Sequence, residues 1–177
     1  SDDSVAEYDK IHLALHLHAS GEGLQPALRL AMIATLEEAG QASRGGGYKL
    51  YMQKAVKVLA KTITEDQLEL VLKKGHLWPN AAIAAFYKLP QVLDAETVKM
   101  VVDLDRNLKA MKAPNFATDQ VRLGVVAVLG RSGDPDSMAY LRLLWQEEPS
   151  RRNDVVIGLA QQPGDENWAY LVSSLPV

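Results

Sequence analysis

RLGVVAVLGRSGDP, residues Arg122 to Pro135, and RNDVVIGLAQQPGD, residues Arg152 to Asp165, lie thirty residues apart and align without a gap. In the same register Val125, Val126 and Leu129 fall on Val155, Val156 and Leu159. Further on, Ala139, Tyr140 and Leu141 fall on Ala169, Tyr170 and Leu171, and Arg122 falls on Arg152. Self-similarity at a fixed period marks a chain built from repeated supersecondary units. Gly133-Asp134-Pro135 shows what one unit is. Glycine stops a helix, aspartate caps the next, and proline suits the first helical position because its missing N–H is not needed there. Each unit therefore reads as helix, turn, helix.

Working upstream, Leu89 takes the place of Leu129 and is followed by Asp94, Glu96, Val98 and Val101. Leu59 leads in the same way into Thr64, Glu65, Asp66, Leu68 and Val71. The landmark leucines Leu59, Leu89, Leu129 and Leu159 are spaced 30, 40 and 30. A fainter copy around Leu15 and Leu28–Leu36 completes about five units. The pattern predicts helices over 4–18, 24–39, 48–61, 65–74, 79–89, 95–111, 118–130, 135–147, 151–161 and 165–175. Loops are expected at Gly40–Gly47 and at Lys112–Ala117, which contains Pro114.

Composition agrees with an all-α chain. Of 177 residues, 47 are leucine or alanine, while isoleucine, phenylalanine and threonine together supply 12. Small and straight-chain residues lose little rotamer freedom in a helical turn, and among strand-favouring types only valine, with 16 copies, is common. A single helix pair cannot bury its own apolar stripe, so neighbouring pairs must supply the core, and the expected architecture is a solenoid of stacked pairs. One domain is expected over 1–177, with a divergent pair in 1–47, middle repeats in 48–112 and the clearest two repeats in 118–177. A closed helical bundle is the structural alternative.

The run Arg122–Pro135 resembles a HEAT-repeat segment of bacterial type, with its arginine on the first helix, its Ala/Val/Leu stripe and its Gly-Asp-Pro turn. The last unit, Gly158–Pro163 followed by Glu166–Val172, is similar to HEAT segments of large exported bacterial proteins that also carry dehydrogenase-like propellers and c-type cytochrome modules. The likeness covers 118–177 well, 48–112 loosely and 1–47 little. It implies a right-handed α-solenoid of antiparallel helix pairs, acting as a scaffold. Its motifs are specific for fold and poor for function.

Chemistry is limited by what is missing. With no cysteine, disulfides, cysteine-ligated zinc, c-type haem attachment and thiol catalysis are excluded within this sequence. No GxSxG elbow is present, no catalytic set stands out, and no cofactor is expected. The pairs Asp134/Asp136 and Asp165/Glu166 sit at helix starts, where they cap free amides and complement the dipole. Glu147-Glu148 near a helix end is less favourable, and Arg151 and Arg152 are placed to offset it.

Three features invite a functional reading and each has a plainer one. His12 and His16, four apart, share a helix face as a metal pair would, with Asp9 on the same stripe and His18 nearby. They lack an HExxH glutamate or any further identifiable ligand, so a structural pair is favoured. Lys54, Lys57 and Lys61, with Arg44, Lys49, Tyr48 and Tyr51 nearby, form a basic ridge in a stretch without acids. It could attract phosphates or an acidic partner, but a solvated helix face is favoured. Ser43–Lys49 lacks the spacing and the strand of a phosphate loop, and reads as a connector. Trp145, Trp168 and Met138 occupy second helices of their units and read as packing positions, as does the Tyr140/Tyr170 recurrence. Trp78 beside Pro79 reads as a staple at a helix start.

The expected function is a non-enzymatic scaffold that binds a protein partner or neighbouring domains of the same chain. The second helices of the pairs should line a concave face, presenting Arg29, Lys73, Lys99, Arg106 and Arg142 to a partner, with Gln25, Gln67 and Gln146 alongside. Competing readings are a HEAT-like nucleic-acid enzyme of DNA glycosylase type and a metal-binding module using His12 and His16. The formal charge of −3 weighs against a nucleic-acid binder. No apolar run approaches the roughly 18–20 residues of a membrane span, the longest being the seven residues Ala81–Tyr87. The start at Ser1-Asp2-Asp3 leads us to expect a piece of a longer bacterial protein, with an exported or periplasmic setting slightly favoured over a cytoplasmic one.

Overall fold

The computed structural model describes residues 9, 16, 25–42 and 46–175. Among these the chain is all helical, with nine α-helices, one 3-10 turn and no strand. It forms two compact units, Ser1–Lys88 and Leu89–Val177.

In the first unit the helices are α1 (Pro26–Ala42), α2 (Gly46–Ala60), α3 (Glu65–Lys73) and α4 (Pro79–Phe86). Helix α2 packs against α1 and α4, and α3 also packs on α4. Thr64 caps α3, Glu65 and Asp66 complement the dipole of its first turn, and Lys73 lies in its last. The Gln67 side chain accepts the Thr64 N–H at 3.2 Å and donates to the Pro26 carbonyl at 2.8 Å. Gln67 is buried, correcting its expected place on an exposed face: its amide reaches the Pro26 carbonyl at the start of α1, so the packing of that helix covers it. Pro79 opens α4 at its first position, with buried Trp78 as the cap residue and Asn80 inside the helix. Ile33, Met52, Val56, Leu59, Ile63, Val71 and Leu72 are at most 1% exposed and form the core together with Ala81, Ala82 and Ala85 of α4.

The connector expected at Gly40–Gly47 is shorter than read, because α1 runs to Ala42 and α2 begins at Gly46. Glycines in a first helical turn break no intrahelical ladder, since those amides have no helical acceptor. The helix expected over 4–18 lies outside the described residues except for Asp9 and His16, which are helical and exposed.

The second unit contains α5 (Ala95–Lys109), α6 (Phe116–Ser132), α7 (Pro135–Glu147), a 3-10 turn (Pro149–Arg151), α8 (Arg152–Ala160) and α9 (Asp165–Ser173). The helix starts follow the cap chemistry read above. Asp94 accepts the Thr97 N–H at 2.7 Å, and Asp134 accepts that of Ser137 at 2.8 Å. Asn115 accepts those of Ala117 and Thr118 at 2.9 and 3.2 Å. Gly133 ends α6 in the left-handed conformation, φ 66°, which a β-carbon disfavours.

Each helix here packs on the next, and α6 also packs on α8 and α5 on α7. The repeated positions Val125 and Val155, Leu129 and Leu159 are all fully buried. Helices α6 and α8 approach so closely that a β-carbon on Gly130 would lie 2.5 Å from the Gly158 carbonyl oxygen. Trp145 and Met138 are buried, but Trp168 is 62% exposed. The repeat rule placed Trp168 in a packing slot. It lies on α9, the last described helix, and no later described helix covers it.

Candidate functional site

In the first unit, α2 and α4 leave a cavity of about 500 Å³ between them. Helical spacing builds its walls. Lys57 lies in the last turn of α2 and Lys61 just past its end, while Asn80, Ile83 and Ala84 on α4 and Tyr87 at its C-cap recur at i, i+3, i+4 and i+7. Lys88 also lines it, its ammonium donating to the Ile63 carbonyl. Tyr87 is 84% exposed, Ile83 and Ala84 are half-buried, and none of the lining residues is acidic. The result is an apolar floor under three cations.

Beside it lies a buried acid. Glu37 on α1 accepts the Asn80 side-chain N–H at 3.0 Å and the Ala81 backbone N–H at 2.8 Å. Burial pushes its carboxyl up to about 7, although Asn80, Ala81 and the nearby charge of Lys57 pull the other way. Its neighbour Glu38 accepts the Trp78 indole N–H at 3.3 Å.

The second unit holds a denser charged cluster. Asp105, fully buried in α5, receives the Arg122 guanidinium through Nε at 3.0 Å and a terminal nitrogen at 3.1 Å. Arg151 donates to both oxygens at 3.3 and 3.2 Å, and the Tyr140 hydroxyl donates at 2.9 Å. Arg122 also bonds Glu148 at 3.0 Å, and Arg151 donates to the Arg122 carbonyl at 2.9 Å. Burial disfavours the Arg122 charge, but Asp105 and Glu148 outweigh it and hold the guanidinium above its usual value. Burial and the Asp105 charge raise the Tyr140 phenol far above its usual range. This network ties α5, α6, α7 and the 3-10 turn together, and its carboxylates are engaged by guanidiniums, a phenol and Lys109. Arg151 offsets Glu148 as expected, at 3.8 Å. Arg152 instead donates to the Trp145 carbonyl at 3.1 Å and lies over that ring at 5.3 Å.

The residues read from sequence as partner contacts lie on four helices, two of the residues in the first unit and three in the second. Arg29 on α1 is half-buried, and Lys73 on α3 is exposed and paired with Glu69. In the second unit Lys99 and Arg106 both pair with Asp103, at 2.6 and 3.6 Å, and Arg106 lies 5.6 Å from the Tyr140 ring centre. Arg142 meets Glu166 at 3.3 Å and Asn167 at 3.0 Å. Four of these five cations thus already have an acidic neighbour. His12 lies outside the described residues, and among the described residues no three His, Asp or Glu side chains converge as a metal site.

Lys57 and Lys61 belong to the basic ridge legible in the sequence, whereas Lys88, Glu37 and Asp105 lie outside it. Their signal was available for the acids. Glu37 continues the stripe of Leu30 and Ile33, and Asp105 that of Val98, Val101 and Val102, so each acid stands where helical periodicity calls for an apolar side chain. Comparison of the chain with protein-family models, curated proteins and solved structures gives no match.

Proposed function

We propose that the chain is a right-handed α-solenoid of HEAT-like helix pairs that serves as a non-enzymatic scaffold, binding a protein partner or neighbouring domains of its own chain. One observation carries the reading: within residues 89–177 contacts run between successive helices and between alternate ones, α6 with α8 and α5 with α7. Stacked two-helix units pack in that order, because each pair offers its apolar stripe to the next. Equal burial at Val125 and Val155, and at Leu129 and Leu159, supports the same unit length.

On this reading the second helix of each pair contributes to the binding face through Arg29, Lys73, Lys99, Arg106 and Arg142. The ion pairs of Lys73, Lys99, Arg106 and Arg142 are mostly solvent-exposed and cost little to exchange for partner contacts. The test is a pull-down with the full chain as bait, comparing the parent sequence with a variant carrying Arg29→Ala, Arg106→Ala and Arg142→Ala. Capture of the partner should weaken roughly tenfold or more. Undiminished capture by the triple variant rejects this face.

A further inference from the structure

The cavity between α2 and α4 carries positive charge that no packing role explains. Lys57 and Lys61 are exposed, and Lys88 spends one donor on the Ile63 carbonyl, which leaves two of its ammonium hydrogens for other acceptors. An ammonium is a mobile point charge on a flexible stem, suited to carboxylates approaching from several directions. The rest of the lining is mostly apolar, made by Ile83, Ala84 and Tyr87, with Asn80, whose side-chain N–H is engaged by Glu37. At about 500 Å³ the space exceeds a single side chain and falls within the range of pockets that seat a ligand.

We propose that this groove is the docking site for an extended acidic peptide segment carrying one apolar anchor. Carboxylates of the segment pair with Lys57, Lys61 and Lys88, and the anchor lies on Ile83, Ala84 and Tyr87. The proposal rests on the scaffold reading and names the chemistry of its partner. Charge complementarity selects the occupant: the lining has three cations and no acid, in a chain whose formal charge is −3. A nucleic-acid strand needs a longer basic track and aromatic stacking surfaces, whereas here one tyrosine stands on an apolar floor. Glu37, the acid bonded to Asn80, is not among the lining residues, and burial pushes its carboxyl up to about 7.

The experiment is a fluorescence-anisotropy titration of the full chain against a labelled Asp-Glu-Leu-Phe-Glu-Asp peptide. A Lys-Lys-Leu-Phe-Lys-Lys peptide and a single-stranded oligonucleotide serve as competing probes. Saturable binding of the acidic peptide is expected, weakening roughly tenfold when salt rises from about 50 to about 300 mM. The double variant Lys57→Glu, Lys61→Glu should bind roughly tenfold or more weakly. Tyr87→Ser should bind a few-fold more weakly and lose salt-independent affinity, since it removes anchor surface only. All three side chains are exposed, so the variants should fold, and circular dichroism checks this. Chemical-shift changes at the Asn80 side-chain amide and the Ile83 methyls locate the bound peptide independently of any variant.

Several results overturn the groove: no saturable binding of the acidic peptide, equal binding of the basic one, tighter binding of the oligonucleotide, indifference to the lysine reversals, or shift changes elsewhere. Any of these would leave the scaffold reading standing if the Arg29, Arg106 and Arg142 substitutions still weaken partner capture. The two failures are therefore separable.

Discussion

Glu37 in the first unit and Asp105 in the second are both buried carboxylates on helix stripes that are otherwise apolar, and their surroundings differ in kind. Asp105 is met by two guanidiniums and a phenol, all within 3.3 Å. Glu37 is met by an amide side chain and a backbone N–H. Burial pushes the Glu37 carboxyl up to about 7, and its neutral donors, with the nearby charge of Lys57, offset only part of that. One acid is the shared partner of side chains from α6, α7 and the 3-10 turn and ties them to α5. The other is a titrating group beside an open groove. Burial alone does not determine the role of an acid; the charge of its partners does.

The largest effect that would break this contrast is at Asp105. Asp105→Asn leaves Arg122 and Arg151 close together and without their shared counter-charge. The second unit should lose about 3–5 kcal/mol. Hydrogen-exchange mass spectrometry can read that loss in peptides from residues 89–177 separately from those of residues 1–88. A loss near zero would mean that Glu148 alone satisfies both arginines.

Glu37 gives the next effect, and it is a pH effect. Its folded value, about 7, lies above its ordinary 4.5, so between those limits the folded state holds a proton that the unfolded state has released. Its contribution is fully present below about pH 4.5 and is lost as pH rises through about 7, a decline of about 3 kcal/mol that levels off above it. Glu37→Gln should flatten that slope and leave the protein more stable than the parent at pH 8. Urea midpoints at pH 5 and pH 8 check it, and an equal slope in both proteins would assign the titration to another group.

The glycines extend the comparison to backbone packing. Gly130→Ala forces a β-carbon against the Gly158 carbonyl, where 2.5 Å leaves no room, and should cost about 1–3 kcal/mol. Gly40 in α1 is the counterpart that tolerates the change, because its β-carbon would meet Met52 at an ordinary 3.6 Å. Gly40→Ala should gain up to about 1 kcal/mol from the better helix propensity of alanine. Thermal melts of the two variants should shift in opposite directions. A fall for both would show that Gly40 has no room for a β-carbon against Met52, and a rise for both that α6 and α8 part readily at Gly130.

Much of the helical layout was legible because it is local. Gly133, Asp134 and Pro135 act within one turn, and the same holds for Asp94 and for Thr64 with Gln67. The boundaries read from them agree with the structure to within about three residues where residues are described. Errors fell where a distant group decides. Gln67 looked exposed by helical register, yet the Pro26 carbonyl, 41 positions away, holds it buried. Trp168 matched a packing slot by repeat position, but a slot is filled only if a further helix lies against it. Lys88 offered no signal in the basic ridge, since α4 brings it to Lys57 and Lys61 only through packing.

The sequence by itself determined that this is a helical chain, where its helices start and stop, and that thirty-residue units recur in its second half. Those properties depend on residues a few positions apart, which interact whatever the rest of the chain does. Tertiary structure alone decided which of two misplaced acids meets guanidiniums and which meets neutral donors, and that Lys57, Lys61 and Lys88 line one cavity with Ile83, Ala84 and Tyr87. Charge, burial and cavity shape belong to side chains from separate helices, and linear order does not carry the distances between them.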